Sequence, residues 1–573
     1  MTIKEPSKKI VIVGGVALGA GAAAKARRMD ENAEIIMIER GPYVSFANCG
    51  LPYYLGDEIT DRDALLLNTP ESLKSRFNID VRVLEEAVEL DRAKKLLTVR
   101  KVDSGEQYQL PYDKLVLAMG AKPIIPPLPG IGLSGVFSLR TVPDVDQIKA
   151  WVSSQNAKRA VVIGAGFIGL ETVENLASIG VEVTLVEKAP QVLPPFDPEM
   201  TALALRELDK MGAEVILGDG IASFEGVNRA TTVTLESGRK LEADMFLLGI
   251  GVRPENGLAK QAGLELGTAG ALQVNEYLQT SDPDIYSGGD MAEIVHLVDG
   301  QRRWIPLAGP ANKQGRVIGV NVCGGQEKFL GAQGTSIVRV GKATLATTGF
   351  AEKTARALGL NFFTSYNTAG HHAGYYPGAK DMTIKLMVEN PSGRLLGAEV
   401  AGREGVDKRV DVLATAIAAH MTVSDIAALD LAYAPPFSAA KDPVIMAAMA
   451  AENVQHGVID VVHSIDDLPA EDVNVLDVRR DDEVIEGMLP GAINIPLDEL
   501  RDRVGELDAS KHWIVYCRSG QRSYFATQLL KRVGFPHVYN LSGGYIVQEM
   551  KQEVLSRQQQ DEAGHSKEHV AAR

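Results

Sequence analysis

Cysteine is scarce in this chain: Cys49, Cys323 and Cys517 are the three in 573 residues. Thiols so few and so far apart exclude a disulfide-stapled scaffold and fit a reducing compartment. A cysteine here that does redox chemistry must find its second sulfur beyond its own loop. Long apolar runs are missing as well. The first, Ile10 to Val13, breaks at Gly14-Gly15, far short of the ~20 residues of a membrane span or a secretory core. The expectation is a cytoplasmic protein with no membrane attachment. Positive charge is in deficit, 59 Lys and Arg against 74 Asp and Glu, which argues against general nucleic-acid binding and leaves room for a local basic cluster on a small polyanion. His371 and His372 have no Cys or His set at ligand spacing, so no metal site is expected.

With 45% hydrophobic residues the chain reads as globular, with three or four domains. Lys9 to Val13 has the pattern of a buried parallel strand, Gly14 to Gly19 of a tight turn, and the Ala-rich stretch to Met29 of a helix; Ile35 to Glu39 is a second strand. The same order recurs from Ala160 to Glu187, so two dinucleotide folds share one chain. Pro-rich 123–129 reads as the crossing into the second fold and Thr280 to Asp290 as the return, which nests the second inside the first. The expected boundaries are 1–150 with 250–325 for the first fold and 151–249 for the second. A strand-rich unit without a phosphate loop follows over 326–454, then a short α/β unit over 458–555. The polar tail, 556–573, is expected to be disordered.

Gly164, Gly166 and Gly169 follow a strand and open a helix with Phe167 and Ile168, and Glu187 lies 18 residues on. A pyrophosphate would rest on that helix N-terminus. Glu187 would accept from a ribose diol and repel a 2′-phosphate, favouring NADH over NADPH, with Lys188 as the contrary sign. The first loop is less regular: Gly14 and Gly19 are in register, Val16 replaces the middle glycine and Gly15 moves the flexibility by one residue. With Glu39, Arg40 and the later Gly289-Asp290 it reads as the FAD site; a second nicotinamide site is the rival.

The two nested folds, the stretch Ser45-Phe46-Ala47-Asn48-Cys49-Gly50-Leu51-Pro52-Tyr53, Gly289-Asp290, Tyr375-Tyr376-Pro377-Gly378 and Tyr433-Ala434-Pro435-Pro436 together resemble the single-cysteine flavin-dependent pyridine nucleotide-disulfide oxidoreductases, the coenzyme A-disulfide reductase group among them. The resemblance covers residues 8 to 453. It implies an α/β architecture of two Rossmann-like domains for FAD and NADH plus an α+β dimerisation domain, a homodimer, and Cys49 as the redox thiol. A thiolate is required there, since a neutral thiol neither attacks sulfur nor leaves well, and Asn48 is a plausible nearby donor. The resemblance also carries coenzyme A contacts onto Gly21, Lys25, Arg28, Ser45, Asn48, Asn312 and Lys441. Independently, Lys25 and Arg28 lie on one helix face and could clamp phosphates or simply be solvated; Arg76 is added on charge alone. Tyr375 and Tyr433 match tyrosines that reach the sulfur centre from the partner subunit, where a phenol can donate to a departing thiolate; core aromatics would look the same.

Near the C-terminus Cys517-Arg518-Ser519-Gly520-Gln521-Arg522 follows an apolar strand and opens a helix. Inward N–H groups and Arg522 would stabilise a thiolate or persulfide at Cys517. With Leu476 to Arg479 and Gly491 to Pro496 the loop resembles a rhodanese domain, and its six-residue length resembles a sulfurtransferase. Met488 replaces the family's usual histidine, which puts thiosulfate in doubt as donor. Cys323 reads as structural. The expected function is NADH-dependent reduction of coenzyme A persulfide, polysulfide or coenzyme A disulfide through Cys49, with Cys517 handling sulfane sulfur. The rivals are an NADH oxidase or peroxidase working through a Cys49 sulfenic acid, and a rhodanese domain that senses sulfur or docks a partner.

Overall fold

The computed structural model describes residues 8–468, 473–485 and 487–571, with side chains through 559. Contacts divide the chain into two units, one of residues up to 188 plus 212–334, the other of 189–211 plus the chain from 335 onward.

The first unit holds two parallel sheets. One runs in the order Ile285–Ser287, Lys114–Leu117, Lys9–Val13, Glu34–Glu39, Asp80–Val83. Its central strand is Ile- and Val-rich and buried on both faces, as a parallel sheet covered by helices requires. The strand Ile285–Ser287 pairs with Lys114–Leu117, which is the expected return after the inserted fold. The second sheet repeats the plan as Glu214–Leu217, Glu182–Glu187, Arg159–Ile163, Met245–Leu248, Val136–Ser138. Its edge strand precedes residue 151, so the second fold begins earlier than the sequence suggests. Three residues are too few to show a period.

The second unit holds an antiparallel sheet, Ser336–Val340, Ala343–Gly349, Leu395–Gly402, Asp381–Glu389, Phe362–Gly370, covered by the helix Val406–Ala418. It also holds a parallel sheet, Val461–Val462, Val538–Leu541, His512–Tyr516, Val473–Asp477, Ala492–Asn494. Two expectations are corrected here. The segment Ala189–Met211, assigned by chain order to the second nucleotide fold, packs with this unit. The tail expected to be disordered from 556 is helical through Ala571, the end of the helix Gly544–Ala571; residues 572–573 lie outside the described residues. Gln, Glu, Lys and Arg favour helix, and Val547, Met550 and Val554 bury one side of it. Glu553 accepts from Arg206 at 2.7 Å, holding it to the segment Ala189–Met211.

Candidate functional site

The two glycine loops are the same device built twice. Gly14 has φ +99 and Gly164 φ +103, where a Cβ would lie 2.3 Å from Ala118 O and 2.4 Å from Gly249 O. A Cβ on Gly19 or Gly169 would lie 1.8 or 1.9 Å from the carbonyl oxygen of Gly14 or Gly164, so both helices need glycine to approach their strands. Glu39 Oε2 accepts from Gly15 N–H at 2.9 Å, and Glu187 Oε2 from Ala165 N–H at 2.6 Å. Val16 and Gly166 lead the helices Ala17–Met29 and Phe167–Ser178 without a side-chain cap, so their first-turn N–H groups suit a pyrophosphate. A Cβ on Gly166 would meet nothing within 4 Å, which leaves open space over that turn. Both loops therefore fit the pyrophosphate of a dinucleotide. Phe167 and Ile168 form the first turn of the second helix, with Ile168 exposed. Arg40 turns away to Glu86 at 3.6 Å, and Lys188 is engaged by Glu236 at 2.7 Å.

Cys49 lies in the turn Asn48–Gly50, which runs into the helix Leu51–Leu55, and it is exposed. Desolvation by its walls pushes the thiol up, the Glu171 carboxylate pushes it further, and Arg140 pulls it back. Tyr53 donates to Glu171 Oε1 at 3.1 Å. Arg140 is a hub: Nε donates to Ala121 O at 3.0 Å, and Nη2 lies 3.8 Å from Asp290 Oδ2. With the Asn48 amide turned to satisfy both its atoms, its oxygen accepts from Arg140 Nη1 at 2.6 Å and its nitrogen donates to Phe46 O at 3.3 Å. Asn48, expected as a donor towards the Cys49 sulfur, spends its oxygen on Arg140 and one of its two N–H groups on Phe46 O. The cation that acts on the thiol is Arg140. Burial also raises the Asp290 carboxyl, against the pull of Arg140.

The helix Ala17–Met29 lies against Ala308–Asn321, and a Cβ on Gly21 would lie 4.0 Å from Asn312 O. Lys25 is half-buried on this helix, while Arg28 is exposed with Nε on Ala24 O at 3.0 Å. Ser45 is buried at φ +49 and its hydroxyl accepts from Asn68 at 3.0 Å. Arg76 stands exposed on the helix Pro70–Phe77. In the second unit Lys441 is exposed just ahead of the helix Pro443–Gln455, and the hydroxyls of the exposed Tyr375 and Tyr433 meet at 2.9 Å. Cys323 packs on the core of the first fold, its Sγ 3.5 Å from Ala26 O.

Cys517 directly follows the strand His512–Tyr516, with only 1% of its surface exposed. Gly520 N–H donates to its Sγ at 3.2 Å and the Ser523 hydroxyl at 3.6 Å, from the start of the helix Gln521–Arg532. Tyr545 N–H clamps the Cys517 carbonyl at 2.8 Å, and a Cβ on Gly544 would lie 2.4 Å from that oxygen. Ser519 is half-buried and Gln521 exposed. Arg522, expected to give its charge to the sulfur, is shared: both its terminal nitrogens donate to the Glu483 carboxylate at 2.6 Å, and that pairing, more than Cys517, holds its charge. Arg518 Nη2 donates to Asp381 Oδ2 at 2.7 Å.

The family model for pyridine nucleotide-disulphide oxidoreductases matches residues 8–315, and that family's dimerisation domain matches 335–443. The chain belongs to the pyridine nucleotide-disulphide oxidoreductase family. This oxidoreductase also carries a rhodanese-like domain, matched over 463–546. It is 34% identical over 442 residues to the NADH oxidase of Methanocaldococcus jannaschii and, over the same length, to the NAD(P)H coenzyme A polysulfide/persulfide reductase of Pyrococcus horikoshii; each match covers 77% of this chain and 98% of the relative. A crystal structure of reduced Bacillus anthracis CoADR-RHD is 46% identical and covers 97% of this chain and 99% of its own, with a TM-score of 0.93.

Two residues of this oxidoreductase escaped the sequence reading. Arg140 belongs to no motif, and proximity alone reveals it. Glu171 sits two residues beyond Gly169, close enough to the fingerprint to have been noticed. In the second unit Asp197, Glu199 and Glu352 bring carboxylate oxygens within 4.8 Å of one another. The Lys385 ammonium lies among them at 2.8, 2.6 and 2.7 Å. Among the described residues no helix is long and apolar enough to cross a membrane.

Proposed function

We propose that this pyridine nucleotide-disulphide oxidoreductase is a cytoplasmic homodimer that uses NADH to reduce coenzyme A persulfide, polysulfide or coenzyme A disulfide at Cys49, with Cys517 transferring sulfane sulfur. One observation carries the reading: an exposed thiol, set between Arg140 and Glu171, in a chain that also builds a donor-lined cradle around a second, buried thiol. FAD held on Gly14 to Gly19, Glu39 and Asp290, and NADH held on Gly164 to Gly169 and Glu187, would supply the electron pair. Glu187 facing a ribose diol, with Lys188 engaged by Glu236, favours NADH.

Arg140 opposes the burial and the Glu171 charge that hold the Cys49 thiol up, and the thiolate form attacks the sulfane sulfur of a coenzyme A persulfide; the coenzyme A thiolate leaves and the sulfur passes to Cys49. Two electrons then release hydrosulfide and restore the thiolate. The Tyr375–Tyr433 hydroxyl pair is suited to donate a proton to the leaving thiolate, reaching the site from the partner subunit. Gly21, Lys25, Arg28 and Asn312 would seat the coenzyme A phosphates, whose long flexible arm would carry sulfur between Cys517 and Cys49. The test is NADH oxidation with and without oxygen. Anaerobic turnover on coenzyme A persulfide with release of hydrosulfide supports the reading, and oxidation that needs oxygen and ignores the persulfide overturns it in favour of an oxidase. Replacing Cys517 by Ser should slow turnover of polymeric sulfur and spare coenzyme A persulfide; equal effects on both would remove the transfer role.

A further inference from the structure

Both arginines of the Cys517 loop are held by carboxylates. Arg522 is gripped bidentately by Glu483, a pair largely shielded from solvent, with 29% and 18% of the side chains exposed. Arg518 reaches out of the loop to Asp381, the first residue of the strand Asp381–Glu389. Glu483 belongs to the helix Asp481–Val484, whose first turn also carries Asp481 and Asp482. Arg480, the next cation along, pairs with Asp482 at 3.0 Å. The sulfur itself is served by the Gly520 N–H and the Ser523 hydroxyl, and Arg522 acts on it only while also paired with Glu483.

Charge decides which donors such a cradle accepts. With a thiol persulfide, R–S–SH and the Cys517 thiolate give R–S⁻ and Cys517–S–SH; one S–S bond breaks, one forms, and a single negative charge enters and leaves. With thiosulfate the same exchange releases sulfite, and three negative charges must gather where a dianion departs. An unpaired, forked guanidinium is the group that offsets such charge, and here each is already matched by a carboxylate. We infer that the Cys517 cradle takes sulfane sulfur from thiol persulfides and excludes oxyanion donors, with Glu483 and Asp381 as the residues that set this choice. The inference rests on the sulfurtransferase reading of Cys517.

The experiment measures thiocyanate formed from cyanide by the full-length flavin-loaded enzyme, with glutathione persulfide or thiosulfate as donor, for the native chain, Glu483→Gln, Glu483→Asp, Asp381→Asn and Cys517→Ser. The native enzyme should favour the persulfide by ~100-fold in kcat/KM, and Glu483→Gln should raise the thiosulfate value about tenfold, through a lower KM, by freeing a charged donor. Glu483→Asp keeps the charge and should keep the discrimination. Asp381→Asn, at an exposed pair, should act in the same direction by a smaller factor, and it carries the test if Glu483→Gln fails to fold. Equal use of both donors by the native chain, or an unchanged donor ratio in folded Glu483→Gln and Asp381→Asn, would overturn the inference. Failure of both donors to produce Cys517-dependent thiocyanate would instead overturn the sulfurtransferase reading beneath it.

Discussion

Lys385 Nζ lies 2.6 Å from Glu199 Oε1, tying a strand of the antiparallel sheet to the segment Ala189–Met211, which chain order alone would leave inside the second nucleotide fold. Asp197 and Glu352 complete the cage, and Tyr366 donates to the same Glu199 oxygen at 2.5 Å. With 1% of its side chain exposed, Lys385 is a fully desolvated cation whose partners must all be present.

Lys385→Met should therefore cost about 3–5 kcal/mol, because it leaves buried carboxylates without their counter-charge. Denaturant unfolding checks this. The acid limb gives a second readout. Burial raises the Glu352 carboxyl, but Lys385 overrides it and holds the group at about 2, below its ordinary 4.5, and Glu199 is lowered for the same reason. A depressed carboxylate stabilises the fold above its unfolded value and loses that contribution as pH falls from 4.5 towards 2. Melting temperature against pH should fall steeply over that window in the native protein and less steeply in Lys385→Met.

At Cys49 two substitutions should move the thiol in opposite directions. Arg140→Met removes the charge that pulls it down and should shift the pH midpoint of alkylation by iodoacetamide upward. Glu171→Gln removes a carboxylate that pushes it up and should shift the midpoint downward. Desolvation, the largest cause, remains in both variants, so neither should restore an ordinary thiol. Movement in the same direction would contradict the arrangement.

Gly166 and Gly169 are three residues apart and should respond differently to alanine. A methyl on Gly166 meets no atom of the protein, so Gly166→Ala should leave the melting temperature near native while raising the KM for NADH, because the methyl occupies the approach to the helix N-terminus. A methyl on Gly169 falls 1.9 Å from Gly164 O, so Gly169→Ala should lower stability and nucleotide binding together. Thermal melting alongside NADH titration separates the two.

The Ser523 hydroxyl lies 3.6 Å from Cys517 Sγ, and its loss in Ser523→Ala should slow sulfur transfer several-fold, the effect of one hydrogen bond worth about 1 kcal/mol. Gly520→Ala should be worse. A Cβ on Gly520 would make only ordinary contact with Gly543 N at 3.5 Å, but φ +98 strains any residue with a Cβ, and relief of that strain would swing the N–H away from the sulfur. Thiocyanate formation from glutathione persulfide measures both, with Cys517→Ser as the blank.

The glycine loops, Cys49 and the Cys517 cradle were legible because their constraints are local. Gly14, Gly164 and Gly520 adopt a backbone that other residues resist, and a strand, turn and helix spell it out within twenty residues. Arg140 was not legible, since nothing in its neighbours announces that its guanidinium reaches Asn48 and Asp290. The helix past 556 was misread for a related reason. Its Gln- and Glu-rich run has no apolar stripe of its own, and its first turns are anchored by Arg206, which lies far off in the chain.

From its residues alone this chain determined two nested nucleotide folds, a lone thiol at 49 and a sulfur cradle at 517, because short-range sterics and spacing write such features into a few adjacent positions. Only the tertiary structure decided what surrounds each sulfur: Arg140 and Glu171 at Cys49, and a Cys517 loop whose arginines both pair with carboxylates, Arg522 while still acting on the sulfur. Charge acts through space, and the partners of Arg518 and Arg522 stand 137 and 39 residues away along the chain.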